Sequence, residues 1–355
     1  MRAGLIFVGS ALAVLASGIL YQVIGAMRGR RRFPPPGRIV SIDGCKLHFF
    51  RQGTGSPTVI LESGIAATSL SWSYVQPLVA GFTSVMSYDR AGLGWSAGCG
   101  ASRSLESLAR QLEHLLAKAD LQPPYVLVGH SFGGLVARSF AHRNPEQTAG
   151  LLLVDPVSVE TWASCSPADH RRLRRGAKLS RRGAWLARFG VVRFAIAAAL
   201  ARRKRVAGLV TKASAGKAAV FLARLVGEVQ KMPPEVLPAV ASHWSRPKSF
   251  EAMAELLDAL PGCARAAAHL SLSPGIPMVV LSAGTATESE VREREDWVAH
   301  AQRGKHVRVM NTGHWLHLER PDVVIQSIRE LVKNSTDRSE RDYNSNRCAR
   351  NDHHG

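Results

Sequence analysis

At 355 residues the chain is longer than one ordinary domain of about 100 to 200 residues, which excludes a short peptide scaffold and leaves one large α/β domain with an insertion or two small domains. With 46% hydrophobic and 21% charged residues the composition is globular, neither disordered nor fibrous, and a sizeable core can be buried. The formal charge of +19 suggests polyanions, but residues 156–272 alone hold 20 Lys and Arg against 7 Asp and Glu, an excess of 13, and the rest of the chain is nearly ordinary.

Residues 4–27 form an uncharged run of 24, long enough at about 1.5 Å per residue to cross a hydrocarbon core of about 30 Å. A single-pass anchor is expected; the competing reading is a cleaved signal peptide, because Ala11-Leu12-Ala13 resembles a cleavage site. Arg28, Arg30, Arg31 and Arg32 follow the run while only Arg2 and the α-amine precede it, so the positive-inside rule keeps the carboxyl side in the cytoplasm. Residues 33–37, FPPPG, then read as a stiff linker, which closes an amino-terminal unit of 1–37.

From residue 38 onward short β-rich runs alternate with helical patterns, the signature of a mainly parallel sheet with helices on both faces. RIVSI and KLHFF read as an antiparallel pair turned at Asp43-Gly44. Strands are then expected at 57–62, 83–88, 125–130, 151–155, 277–282 and 306–310, several of them continuous apolar runs suited to burial on both faces. Between them, 104–119 has apolar residues at 105, 108, 112, 115 and 116, an amphipathic helix. More than 120 residues separate LLLVD from PMVVLS, far beyond a loop, so 156–272 is expected to be an inserted helical cap within a core of 38–155 and 273–333.

The arginine clusters of the insertion read either as solvated helix faces over an apolar underside or as a cap resting on anionic lipid. A specific nucleic-acid partner is not expected, since the Arg-rich helices lack interleaved aromatics. Residues 321–333 predict a closing helix with Pro321 in its first turn, and 334–355 is polar enough to be disordered. The cysteines Cys45, Cys99, Cys165, Cys263 and Cys348 are odd in number and far apart with no CxxC, which reads against a disulfide framework or a zinc site.

The chemistry-bearing signal is YVLVGHSFGGL at 125–135, with GxSxG at Gly129-His130-Ser131-Phe132-Gly133. Five letters alone are weak, but here they follow a buried strand and open a helix, where a sharp turn lifts the serine hydroxyl above the sheet and leaves no room for a Cβ two residues to either side. Ser131 is the candidate nucleophile, and the N–H of Phe132 points toward a developing oxyanion.

At this point the chain resembles the α/β-hydrolase superfamily, particularly its membrane-anchored bacterial members with a helical cap. The resemblance covers roughly residues 38–333 and rests on LESGIAATSLSW (61–72), SYDRAGLGWS (87–96), GHSFGG (129–134) and NTGHWLHLERP (311–321), each after a predicted strand and in the family's order. It implies an eight-stranded, mostly parallel sheet with an inserted helical cap. It also implies a second oxyanion donor in the loop after the third strand: the Ser63-Gly64 pair makes this the N–H of Ile65. Asp89 and Arg90 match a structural turn of the family, and Trp72 and Trp95 are open between lining an acyl pocket and packing. The base falls at His314, in a TGH turn after the last strand, with His317 the rival and His130 left out. The acid usually stands three residues beyond a glycine after the post-cap strand, and here Gly284 is followed by Thr285, Ala286 and Thr287. Some members place it at the end of the preceding strand, where Asp155 stands; Glu288, and behind it Glu290, are the alternatives.

The resemblance thus implies a serine hydrolase of carboxylic esters, with an acyl-enzyme on Ser131, His314 as base and Asp155 as orienting acid, needing no cofactor or metal and taking a small-molecule acyl substrate. A proline iminopeptidase-like amidase, an acyltransferase that excludes water and a non-catalytic ligand receptor are the other readings.

Overall fold

The computed structural model describes residues 2–201 and 229–351. An eight-stranded sheet runs in the order β1-β2-β4-β3-β5-β6-β7-β8, comprising β1 (Arg38–Ile42), β2 (Cys45–Gln52), β3 (Thr58–Glu62), β4 (Val85–Tyr88), β5 (Tyr125–His130), β6 (Thr148–Val154), β7 (Met278–Ala283) and β8 (Gly304–Val309). β1 pairs antiparallel with β2 and β2 with β4; every other pairing is parallel. All eight strands expected from the sequence are present. The β1–β2 hairpin turns at Asp43 and Gly44, both at positive φ (50° and 77°), the backbone that a two-residue turn matching strand twist requires.

The central strands are buried on both faces, and alternation divides them between two cores. Val59, Leu61, Val126, Val128, Leu152 and Val154 point to one face, where the closing helix supplies Val324, Ile325, Ile328 and Leu331. Ile60, Leu127, Leu151 and Leu153 point to the other, under α3 (Leu105–Lys118) and α4 (Gly133–Arg143). Burying each such aliphatic side chain stabilises the fold by roughly 1.5–3 kcal/mol. The Ser104 hydroxyl caps α3 by accepting from the Ser107 N–H, and Leu105, Leu108, Leu112, Leu115 and Leu116 all face inward, as the spacing predicts.

Between β6 and β7 stand α5 (Val159–Ser164), α6 (Pro167–Arg188), α7 (Val191–Ala201), α8 (Leu237–Trp244) and α9 (Pro247–Ala268). Helix α6 buries Leu173, Ala177, Ser180, Ala184 and Ala187, a stripe at alternating spacings of four and three that packs on α9, with Gly183 lying against Phe250. Its arginines lie outside this stripe, and Arg181 and Arg188, which flank it, pair with Asp258 and Glu251 on α9. The basic segment expected over 202–228 lies outside the described residues.

Two expectations are corrected. Cys45, at the start of β2, is disulfide-bonded to Cys99, 54 residues on. Sequence spacing hides this pair because it is the tertiary pairing of β2 with β4 that brings the loop after β4 back over β2. The tail expected to be disordered is instead helical: after α10 (Glu288–Ala299) and the short α11 (Leu316–Glu319), α12 runs from Pro321 through Asn351. Once a helix is nucleated and docked by its apolar face, each added residue gains a hydrogen bond without a new nucleation cost, so a polar sequence can prolong it.

Candidate active site

Parallel strands deliver their carboxyl ends to one edge of the sheet, and the candidate residues all emerge there. Ser131 follows β5 directly and holds φ at 54°, in the left-handed region that a side chain rarely adopts. Two close approaches fix this turn. A Cβ on Gly129 would stand 2.6 Å from the Gly133 carbonyl oxygen, and one on Gly133 would stand 2.5 Å from the Glu62 carbonyl oxygen. The strain is therefore held by backbone packed on backbone, the kind of over-determined geometry in which such residues persist.

Around Ser131 the structure gathers a hydrogen-bonded chain. The Ser131 hydroxyl donates to His314 Nε2 over 2.9 Å, and His314 Nδ1 donates to Asp155 Oδ2 over 2.6 Å. Asp155 follows β6; its other oxygen accepts from the Ala283 N–H at 3.0 Å and from Arg294 Nη1 at 3.0 Å. Burial works to raise the Asp155 pKa, but the bond to and charge of His314, the Arg294 charge and the Ala283 N–H outweigh it, so the net shift is downward and the carboxyl is held ionised. Glu288 is not in this chain. It sits exposed at the start of α10, where its carboxylate pairs with Arg308 at 2.8 Å, and Glu290 closes a capping box with Thr287. A residue that opens a helix on the sheet's rim is turned toward the helix's free N–H groups and solvent, so Glu288 and Glu290 are not brought to His314.

Gly64 stands against the same serine: a Cβ there would lie 3.5 Å from Ser131 Cβ and 3.0 Å from His130 Nδ1. The N–H of Ile65 beside it and that of Phe132, ahead of the first turn of α4, donate to no protein acceptor among the described residues. Arg90 orders this loop. Its guanidinium donates to the Ser63 carbonyl at 2.7 Å and to the Gly64 carbonyl, forms an ion pair with buried Glu62, and lies 5.4 Å from the Phe132 ring. Asp89 is fully buried and accepts from His48 Nδ1 and the N–H groups of Ser69 and Trp95, the structural role expected of it.

His130 does not face Ser131, but it supports His314: its Nε2 donates to the His314 carbonyl at 2.9 Å, and the two rings lie 4.9 Å apart. His317 is fully buried between Trp72, at 4.6 Å, and His130, at 4.3 Å, and neither of its ring nitrogens has a hydrogen-bond partner among the described residues. Burial, reinforced by the His314 charge, lowers the His317 pKa to about 3; burial and the neighbouring His317 and His314 charges lower that of His130 as well. Trp72 is buried and donates to the Ser63 hydroxyl, and Trp95 packs on His48 and His243. Neither lines the narrow apolar cleft above the loop, which is formed by Ala66, Trp244, Ser249, Phe250 and Met253.

Sequence reasoning missed Arg294. It is 2% exposed and also donates to the Ser282 hydroxyl (2.8 Å) and the Pro156 carbonyl (2.6 Å), tying α10 to the ends of β6 and β7. Within VREREDW it reads as one more solvated charge, and no spacing rule marks it out.

The profile described as the Alpha/beta hydrolase family matches residues 59–327. Among curated proteins, the uncharacterized protein YqjL of Bacillus subtilis is 34% identical over 118 residues, covering 33% of this chain and 47% of that one. The chain thus spans about half or less of the length of the curated relatives it matches. Among solved structures, a thermophilic esterase from Thermogutta terrifontis is similar at a TM-score of 0.55 and 23% identity, covering 84% of this chain and 99% of that one. The epoxide hydrolase CorEH is similar at 0.56 and 19%, covering 83% and 97%. These likenesses are of fold.

Two outcomes follow from the electrostatics. Folding holds His317 neutral, so its contribution to stability is complete above the usual histidine value of about 6.5 and is lost as pH falls from there toward about 3. In urea titrations from pH 6.5 to 4.5, His317→Phe should flatten the pH dependence by about 1.4 kcal/mol per pH unit; an unchanged slope contradicts the buried neutral imidazole. Arg294→Gln should shift the urea midpoint by an amount worth roughly 3–5 kcal/mol, because Asp155 is left buried without its cation. Arg294→Lys should recover only part of this, since one ammonium cannot serve Asp155, Ser282 and Pro156 together.

Proposed function

Because this chain belongs to the alpha/beta hydrolase family, we propose that it is a serine hydrolase acting on carboxylic esters, anchored to a membrane by α1 (Arg2–Arg32). The observation that carries the chemistry is the unbroken Ser131–His314–Asp155 chain above the strained turn. Ser131 Oγ attacks the acyl carbon while His314 Nε2 takes its proton; Asp155 steadies the imidazolium through Nδ1. The carbonyl oxygen, now negative, sits against the N–H groups of Ile65 and Phe132, donors with no protein acceptor among the described residues. His314 then protonates the departing alcohol, and water, deprotonated by the same imidazole, cleaves the acyl-enzyme.

A serine at this turn argues against epoxide or haloalkane opening, which needs a carboxylate there to form an alkyl-enzyme ester. Esters are favoured over aminoacyl substrates because residues 156–272 carry only 7 Asp and Glu against 20 Lys and Arg, with no acidic cluster evident to hold a substrate α-amine. The apolar helix behind the anchor reading covers Val8–Arg32 and is almost wholly exposed, which by length and composition suits either a span or a signal sequence. The arginines behind it act during insertion, before any disulfide closes, and so favour a cytoplasmic catalytic domain.

Ser131→Ala should abolish fluorophosphonate labelling and turnover of p-nitrophenyl esters while the protein stays folded; labelling that persists at another serine defeats the proposal. Asp155→Asn should lower kcat by orders of magnitude, with about 10⁴ as the precedent in a serine protease, whereas Glu288→Gln should be nearly silent. Faster cleavage of aminoacyl amides than of the ester panel moves the substrate class to amides, and acyl transfer to an alcohol in preference to water makes it a transferase.

The Cys45–Cys99 bond tests the orientation. Disulfides are rare in a reducing cytosol, so acid-quenched cells should yield both residues as alkylatable thiols that pair only on later exposure to oxidant. Recovery of the bonded pair directly from quenched cells puts the domain on the outer face.

A further inference from the structure

Helix α1 does not stand apart from the rest of the chain. Its stripe Gly18, Gln22, Gly25 and Gly29, at spacings of four, three and four, is seated on the insertion. A Cβ on Gly18 would lie 2.5 Å from the Phe189 carbonyl oxygen, and one on Gly25 would run into the Arg193 side chain. Buried Gln22 accepts from Arg193 Nε at 2.9 Å and donates to the Ser245 carbonyl at 2.9 Å. The outer faces of α1 remain open, with Leu12 at 61% and Leu20 at 59% exposure.

Phe189 and Gly190 form the turn between α6 and α7; Gly190 is buried against Gly18, but the side chains flanking the turn are apolar and exposed. Trp185, Leu186, Val191 and Phe194 are 60%, 49%, 47% and 67% exposed, and α7, VVRFAIAAALA, has one charge in eleven residues. That charge, Arg193, reaches back along α1 toward Gln22 and Gly25, in the direction of the arginines that end the helix.

The depth of contact decides what covers this tip. Gly18 precedes Arg28, the first charge after the run, by ten residues, about 15 Å along a helix and so about half of a 30 Å hydrocarbon core. If α1 spans, a turn packed on Gly18 lies beneath the lipid surface with it. The basic side chains near the tip have stems long enough to carry their charge to the headgroups. The cleft beside Ala66 adjoins the same seat: its Trp244 is next to Ser245, the acceptor of Gln22, and its Phe250 rests on Gly183, two residues before Trp185.

We propose that the α6–α7 turn is immersed in the bilayer beside the span, and that the Ser131 site draws its acyl ester from the lipid rather than from water. This rests on the anchor and ester readings above, and adds to them the seat of the insertion and the source of the substrate. The immersion is apolar, so it survives salt that would screen an arginine-to-headgroup attraction.

The full chain, reconstituted in phosphatidylcholine and phosphatidylglycerol vesicles with brominated acyl chains, tests both halves. Wild type should lose more tryptophan fluorescence to bromine than Trp185→Phe does, and the difference should persist at about 1 M salt. A Leu12→Trp reporter in the Trp185→Phe background reads the span separately. Leu12→Trp quenched with no Trp185 difference leaves the anchor standing and overturns the immersed turn; an unquenched Leu12→Trp defeats the anchor and this inference with it. For the substrate, Leu186→Asp with Phe194→Asp should lower turnover of a long-chain ester dissolved in the vesicles by about tenfold or more, as charges at lipid depth are disfavoured, while turnover of water-soluble p-nitrophenyl acetate is retained. Equal effects on the two esters overturn the lipid source, and retained p-nitrophenyl acetate turnover shows in the same experiment that the hydrolase reading itself stands.

Discussion

The site depends on a contact between two stretches of main chain. Gly133 lies so close to the Glu62 and Ser63 carbonyls that a Cβ there would come within 2.5 and 2.7 Å of their oxygens, and that contact pins the start of α4 against the end of β3. With α4 pinned and β5 fixed in register between β3 and β6, the residue joining them has no relaxed backbone available, and Ser131 takes φ of 54°. The same contact presses the loop after β3 against the serine. One packing constraint thus sets the hydroxyl and both unpartnered N–H groups together, before any side chain takes part.

Two buried arginines then hold what the main chain leaves loose. Arg90, from the loop after β4, bonds the carbonyls of Ser63 and Gly64, and so fixes the direction in which the following N–H points. Arg294, from α10, does the same for Asp155 by anchoring its Oδ1 while Oδ2 faces His314. A buried guanidinium is costly unless its donors are met. The Nη1 and Nη2 donors of Arg90 are met by Glu62 and two carbonyls, and those of Arg294 by a carboxylate, a hydroxyl and a carbonyl, while the Nε of each is buried without a hydrogen-bond partner among the described residues. The neutral imidazole of His130 completes the support by holding the His314 carbonyl, so the three loops that converge on Ser131 are each tied from behind.

The strands were legible because burial on both faces forces continuous apolar runs such as YVLVGH and LLLVD, and α3 because one buried face forces a 3.6-residue period. The glycine pattern around Ser131 was legible for the same kind of reason: it records the absence of space. What escaped notice depends on partners distant in sequence. Arg294 and Asp155 are 139 residues apart, and Cys45 and Cys99 are joined only after β2 pairs with β4. His317 reads from sequence as a possible base, and only its enclosure by Trp72 and His130 makes it a core residue. The helical continuation past Lys333 escaped because composition reports whether a segment can fold alone, not whether a docked helix is already in place to be prolonged.

The position of Asp155 follows from how β6 and β7 end. They are parallel neighbours, with Val154 opposite Leu281, so their loops leave the sheet side by side and either can reach an imidazole delivered by β8. A carboxylate on both loops would set like charges against each other in a buried space. Here the β7 side supplies the complement instead: the Ala283 N–H and, nearly two helix turns into α10, the Arg294 guanidinium, both directed at Asp155. The absence of a carboxylate at Thr287 and the presence of Arg294 are therefore one arrangement, in which moving the negative charge to β6 requires a positive partner from the loop and helix that would otherwise have carried it.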